Sequence, residues 1–278
     1  MVSRGYVARM HTRHWLGATG LDVTVVCDDR IQAAEIRGAM PYVPRGHVID
    51  LESRGVAPGC LNARNFILSE LVKTREWYIG IDDNVEHLDI VHPEFYAQPK
   101  LPVDGPCPWD TWRKIYRHAI PPGDLWMYLC ALRDACRVHD TIYGGFASTE
   151  NPMFRASKYG YRRFVKTKLY VLYKHKPDLL FKGGDYAHDS WMSAYAVANF
   201  GSVVVNNYIH PRYPWFEAGG LGKVTERRAK LDVILDEIIA EFPGLVVKAK
   251  GANSALKFIR TTDTSVQRWQ AQNNYPRT

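Results

Sequence analysis

The sequence predicts an α/β fold: a mostly parallel central sheet flanked by helices, with a smaller β-rich part beside it. Two observations carry this. Over residues 1–90, short β-branched or aromatic runs alternate with segments of helical apolar spacing, which argues for a mostly parallel sheet covered on both faces. From Thr141 onward a second β-rich part begins, in which basic and aromatic residues interleave. Between the two, residues 91–122 are rich in Pro, Gly and aromatics, including Trp109 and Trp112, and read as an irregular excursion.

Taken in order, residues 6–10 read as a first strand and residues 12–19 as a short helix ended by Gly20. Residues 23–27 form an unbroken β-branched run and hence a buried strand. Asp28 and Asp29 follow it just before a helical segment at 31–37, the position of an N-cap. A third strand is expected at 47–51 and a helix at 61–73, with Arg64 and Asn65 in its first turn. That helix runs into Trp77-Tyr78-Ile79-Gly80-Ile81, a strand that ends in Asp82-Asp83-Asn84. Helices are expected at 125–139, 190–200 and 223–241, and strands at 141–146, 203–205 and 245–247. Together these make one domain over 1–278: a first half at 1–90, an irregular and helical insertion at 91–140, and a second half at 141–278.

Composition narrows the class. With 278 residues, 46% of them hydrophobic and 12% aromatic, the chain can bury a sizeable core and is not disordered. Against 29 Asp and Glu stand 36 Lys and Arg, for a net charge of +7 and a pI near 9.1, a balance that suits a polyanionic partner such as nucleic acid. Cys27, Cys60, Cys107, Cys130 and Cys136 are odd in number and contain no Cys-x-x-Cys spacing, which points to reduced thiols rather than zinc. The first residues lack the apolar core of a secretory signal, and no run approaches the length of a membrane span. A cytoplasmic protein with no membrane anchor and no obligate protein partner is the expectation.

The chemistry concentrates at strand ends. In α/β sheets ligands gather at the carboxyl ends of strands, and Asp82, Asp83 and Asn84 occupy such an end. Two adjacent carboxylates repel unless a cation offsets them, so Mg²⁺ or Mn²⁺ carrying phosphate oxygens is one outcome; a plain Asp-Asp-Asn turn is the other. Arg64 and Asn65, at a helix start, suit an anion or a solvated first turn. Downstream, Asp185 and Asp189 flank the start of a helix, as caps or as a general base. From Arg155 to Lys176 the basic and aromatic residues offer charge for a phosphate backbone and flat faces for bases; an antiparallel pair with lysines outward fits equally.

In this order the motifs resemble a GT-A glycosyltransferase. They are closer still to the phage glycosyltransferases associated with TET/JBP-type hydroxylases, which glycosylate hydroxymethylated bases in DNA. Three places carry the resemblance: Ser3-Arg4-Gly5, Ala63-Arg64-Asn65, and the aromatic strand from Trp77 ending in Asp82-Asp83-Asn84-Val85. It implies a GT-A-like single domain whose β-rich part receives the acceptor. It also implies a UDP-sugar donor and Mn²⁺ or Mg²⁺, with DNA carrying 5-hydroxymethylcytosine or 5-hydroxymethyluracil as acceptor.

Carried over, the donor would meet Ser3, Arg4, Arg64, Asn65, Asp82, Asp83, Asn84, Gly219 and Gly220. The metal would meet Asp82, Asp83 and, as a late His ligand, His210. Asp189 is the first candidate for the base and Asp185 the second, although His188-Asp189 stands where many such enzymes have Glu-Asp. Tyr143, Arg155, Arg162, Arg163, Lys166, Lys168 and His188 are the candidates for the acceptor and DNA side. Rival readings are a GT-A enzyme acting on a glycan or protein, a DNA-binding accessory protein whose acidic turn is only a turn, and a nucleotidyltransferase.

Overall fold

The computed structural model describes residues 10–91, 117–147, 159–161, 163–213, 224–249 and 256–259. Residues 6–9 of the strand expected at 6–10, Ser3, Arg4, Trp109, Trp112, Arg155, Arg162, Gly219 and Gly220 lie outside these residues.

The first half alternates as its sequence dictates. Helix α1 (Arg13–Leu16) continues as a 3₁₀ turn and stops at Gly20, whose φ of 69° is the left-handed stop a glycine supplies. Strand β1 (Val25–Cys27) pairs in parallel with β2 (Val48–Asp50), and α2 (Arg30–Ala39) connects them. The Asp29 carboxylate accepts from the Ile31 and Gln32 N–H groups, the expected N-cap. Helix α3 (Cys60–Phe66) ends in a π turn at Ile67–Leu71 and leads to β3 (Trp77–Ile81).

β4 (His87–Val91), β5 (Arg117–Ala119), α4 (Leu125–Val138), β6 (Tyr143–Phe146), β7 (Tyr159–Gly160) and β8 (Leu169–Tyr173) follow. The chain then forms α5 (Gly184–Phe200), β9 (Val204–Asn206), β10 (Ile209–Arg212), α6 (Val224–Glu241), β11 (Val246–Lys248) and β12 (Leu256–Phe258). Two smaller sheets, β10-β4-β5 and β11-β12, are antiparallel.

The largest sheet has the order β3-β8-β6-β9-β7 and is mixed rather than mostly parallel. β8 is antiparallel to both β3 and β6, β6 is parallel to β9, and β7 is antiparallel to β9. The reason lies in the basic aromatic segment. Its Leu169–Tyr173 run is apolar on both faces and nearly all buried, so it inserts between β3 and β6 instead of forming a hairpin with lysines outward. The flanking lysines go to the ends: Lys168 precedes the strand, while the Lys174 ammonium, after it, donates to the Leu68 and Val72 carbonyls that close the π turn.

Strand alternation fills two cores. Tyr170 and Leu172 of β8, Tyr143 of β6 and Val205 of β9 face α5 and α6, alongside Trp191, Met192 and Leu235. Leu169, Val171, Phe146 and Val204 face the other way, against Leu125, Leu129 and Leu132 of α4 and Ile36 of α2.

β3, β6 and β9 therefore run one way, and their carboxyl ends share an edge with the start of β8. Among the described residues no helix is long and apolar enough to cross a membrane.

Gly80 couples this packing to the edge. It pairs with Tyr170 across β3 and β8, and the Tyr170 ring lies over it with its hydroxyl 2.9 Å from that of Tyr78. A Cβ on Gly80 would overlap that ring, so Gly80→Ala is expected to lower the unfolding free energy by about 1–3 kcal/mol, measured by chemical denaturation.

Candidate functional site: a doubly compensated carboxylate at the sheet edge

The Asp82-Asp83-Asn84 turn sits where β3 leaves the sheet, and α1 clamps its backbone. Thr12 Oγ1 donates to the Asp82 carbonyl at 2.7 Å and its N–H to the Asp83 carbonyl at 3.0 Å; Trp15 Nε1 donates to the Val85 carbonyl at 2.8 Å. The Asp82 N–H donates to the Lys168 carbonyl, which ties the turn to the residue opening β8.

Asp82 is the electrostatic centre. Arg64 Nη2 lies 2.6 Å from one of its oxygens and Lys168 Nζ 2.9 Å from the other. Lys168 also donates to Asn84 Oδ1 at 3.0 Å and lies 4.8 Å from the centre of the Tyr213 ring. Burial alone would raise the Asp82 pKa, but Arg64 and Lys168 outweigh it and hold the carboxyl down at about 2.

Arg64 is not a solvated first-turn residue. It is 8% exposed, donates to Cys60 Sγ and to the Thr167 carbonyl, and lies near the Tyr170 face. Burial pushes the Cys60 thiol up to about 11.

A second group follows from Thr167. Its hydroxyl lies 3.2 Å from His188 Nε2, and His188 Nδ1 lies 3.2 Å from the Gly184 carbonyl. Burial, helped by the Arg64 charge, lowers the His188 pKa to about 4, so the ring is neutral at pH 7. Next to it, Asp189 accepts from the Ser190 N–H at 2.7 Å and pairs with Lys166 Nζ at 3.1 Å. Burial opposes ionisation of Asp189, but Lys166 prevails, joined in acid by the protonated His188 ring, and the pKa is lowered.

The local fold presents this group. Gly183 and Gly184, at φ 87° and 58°, turn the chain into α5, and the helix breaks at Ala187 (φ −141°), just before His188 and Asp189.

The structure thus brings together Arg64, Asp82, Asn84, Lys166, Lys168, His188 and Asp189. It gives the other candidates different work. Asp185 accepts from the Leu61 N–H at 2.7 Å, capping α3 from a distant helix because the N-cap position itself is Gly59. Both polar atoms of the Asn65 amide bond the Phe181 backbone. Tyr143 is fully buried beneath the edge, and its hydroxyl has no hydrogen-bond partner among the described residues. His210 is buried on β10, opposite Asp89 of β4, with Nδ1 3.0 Å from the Ala147 carbonyl. Arg163 is exposed beside Gly160.

Thr12, Trp15, Cys60 and Thr167 escaped the sequence reading. Thr12 lies 70 residues from its Asp82 partner, and Thr167 lies 103 from Arg64, so no local pattern marks them.

The resemblance implies a divalent cation at this turn, and Asp82 as arranged does not fit one. A metal on either oxygen would lie beside a guanidinium or an ammonium, and like charges a few ångströms apart in a half-buried site repel strongly. Among the described residues no group of three or more His, Cys, Asp or Glu could hold a metal ion.

Asp82→Asn leaves the Arg64 charge uncompensated and is expected to cost about 3 kcal/mol of stability at pH 7, as for other broken buried pairs. The folded pKa of Asp82 lies below its ordinary value of 3.8, so its stabilisation is present above pH 4 and is lost as pH falls toward 2. The gap between wild type and Asp82→Asn should therefore narrow from pH 5 to pH 2, read by urea melts across that range.

The chain was compared with protein-family models, with curated proteins and with solved structures, and none of the three gave a match.

Proposed function

We propose that this protein is a glycosyltransferase with a GT-A-like single domain, moving a sugar from a UDP-sugar to the hydroxyl of 5-hydroxymethylated pyrimidines in DNA. The reading rests on the resemblance in the Ala63-Arg64-Asn65 and Asp82-Asp83-Asn84 motifs. The observation that carries it further is a chain of polar contacts that runs from Asp82 to His188. Asp82 holds Arg64, Arg64 donates to the Thr167 carbonyl, and the Thr167 hydroxyl meets His188, whose neighbour is Asp189. A donor motif and a base candidate 107 positions apart in sequence thus belong to one network at the carboxyl edge of the sheet.

In an inverting transfer, the acceptor hydroxyl oxygen attacks the anomeric carbon from the side opposite the diphosphate, and the bond from that carbon to the diphosphate oxygen breaks. Asp189, ionised at neutral pH, takes the hydroxyl proton as the new bond forms. His188 is neutral and held at both ring nitrogens, so it orients the turn rather than carrying charge. The Mn²⁺ or Mg²⁺ of the resemblance would supply Lewis-acid help. Because Asp82 does not fit such an ion as arranged, charge on the leaving diphosphate is assigned here to the chain's own cations. Of the two on Asp82, Lys168 is the more exposed, at 25% against 9% for Arg64, and is the one able to turn toward a phosphate.

The acceptor side of the reading rests on the net charge of +7 and on Lys166, which is 44% exposed beside Asp189. A phosphate backbone arriving there would compete with Asp189 for Lys166 and release the base.

The test is UDP release from a panel of UDP-sugars with Mn²⁺, with and without DNA containing 5-hydroxymethylcytosine or 5-hydroxymethyluracil. Release is expected only with the hydroxymethylated DNA. Asp83→Ala should abolish it, and Asp189→Asn should slow it by roughly 10²-fold or more. Release that ignores DNA would move the acceptor to a glycan or protein, and no release with any donor would remove glycosyl transfer.

A further inference from the structure

α3 has a second face, turned away from Asp82, and that face lines a groove. We propose that this groove binds a short apolar peptide by both of its charged ends, with the peptide carboxylate at Arg54 and the peptide ammonium at Glu70. The inference is independent of sugar transfer and of the Asp82 edge.

The groove is an open-sided cavity of about 570 Å³, within the ~300–1,000 Å³ that ligand pockets occupy. α3 and its π turn line it with Phe66, Glu70 and Leu71. Phe66 follows Arg64 by two positions and so lies on the other side of the helix. Arg54 and Val56, between β2 and α3, and Leu180, shortly before α5, also line it.

Three anchors fix this lining before any ligand arrives. The Val72 N–H donates to the Ile67 carbonyl at 3.0 Å, which closes the π turn, and the buried Lys174 ammonium donates to the Val72 carbonyl at 2.9 Å. Such turns are rare and recur at functional sites. Arg54 and Val56 flank Gly55, whose φ is 67°, and both of their N–H groups donate to the Leu51 carbonyl at 3.0 Å. Leu180 precedes Phe181, whose N–H and carbonyl are both bonded by the Asn65 amide.

The chemistry of the lining selects the ligand. Leu71 and Leu180 are apolar yet 39% and 40% exposed, and Val56 and Phe66 extend the surface they offer. Arg54 and Glu70 carry opposite charges, and neither forms an ion pair with the other or with any described residue. Two opposite charges that do not meet thus share one concavity. An apolar anion would answer Arg54 and be repelled by Glu70, and an apolar cation would meet the reverse. A ligand with an apolar body and one charge of each sign answers both, and an apolar peptide with free termini has that chemistry.

The test uses the full chain and records methyl NMR spectra while trileucine is added. Saturable shifts are expected for the Leu71, Leu180 and Val56 methyl groups. Trileucine acetylated at its N-terminus, or amidated at its C-terminus, should bind about 2–5-fold more weakly, the loss of one exposed ion pair. Arg54→Gln should weaken trileucine to the same extent and make amidation neutral, and Glu70→Gln should make acetylation neutral. Leu180→Ser, at an exposed position that the fold tolerates, should weaken all three peptides about 5-fold or more. Absence of any saturable shift up to about 5 mM trileucine overturns the proposal. Binding indifferent to both caps overturns it too, because the groove is then a plain apolar surface. Shifts of the same methyl groups that grow with protein concentration alone assign the groove to a second copy of this chain, and also overturn it.

Discussion

A carboxylate held in a half-buried site by two protein cations organises this edge of the molecule. Asp82 is 20% exposed, and its ionised form persists because Arg64 and Lys168 occupy its two oxygens. Each partner is delivered by a different element: Asp82 by the end of β3, Arg64 by α3, and Lys168 by the residue that opens β8. Removing one charge strands the others, so the three elements are bound to a common register. Hydrophobic packing of β8 between β3 and β6 brings the charges close.

The antiparallel insertion of β8 explains how a basic, aromatic segment serves a site at all. Had residues 155–176 formed a surface hairpin, Lys168 would have faced solvent. Insertion buries the apolar run and leaves its polar neighbours at the two ends. Lys166, Thr167 and Lys168 then fall at the carboxyl edge of β3 and β6, and Lys174 falls at the opposite edge, closing the π turn after α3. Gly80 permits the arrangement because the Tyr170 ring needs the space above it, and the same ring lies near the Arg64 guanidinium.

Much of the fold was legible because its elements are locally encoded. The Asp29 cap, the Gly20 and Gly201 helix stops, and the strands at β1, β3, β6 and β9 follow from periodicity and turn chemistry that short windows contain. Sheet direction was not legible, because whether β8 pairs with a near neighbour or inserts between distant strands depends on which faces are buried in the assembled core. The site divides in the same way. The Asp-Asp-Asn turn announces itself by composition, whereas its clamp by Thr12 and its pairing with Lys168 span 70 and 86 residues. Asp185 shows the hazard most clearly: a carboxylate at a helix start reads as a local cap or a base, and it caps a different helix, α3, whose own N-cap is a glycine.

That distant cap bears on how the two halves of the edge communicate. Asp185 ties the start of α5 to the start of α3, while Asn65 ties the end of α3 to the Phe181 backbone just before α5. α3 carries Arg64, and α5 carries His188 and Asp189. The start of α5 and the chain just before it are therefore fastened to α3 near both of its ends. The breaks around Asp185, two left-handed glycines before it and the non-helical Ala187 after it, let one short stretch cap α3 and still aim Asp189 at Lys166. A regular helix starting at Gly183 would place residues 185 and 189 on one face, one turn apart, and could not separate those duties. The irregular start of α5 is thus what allows the carboxylate that caps α3 and the carboxylate that pairs with Lys166 to lie four residues apart.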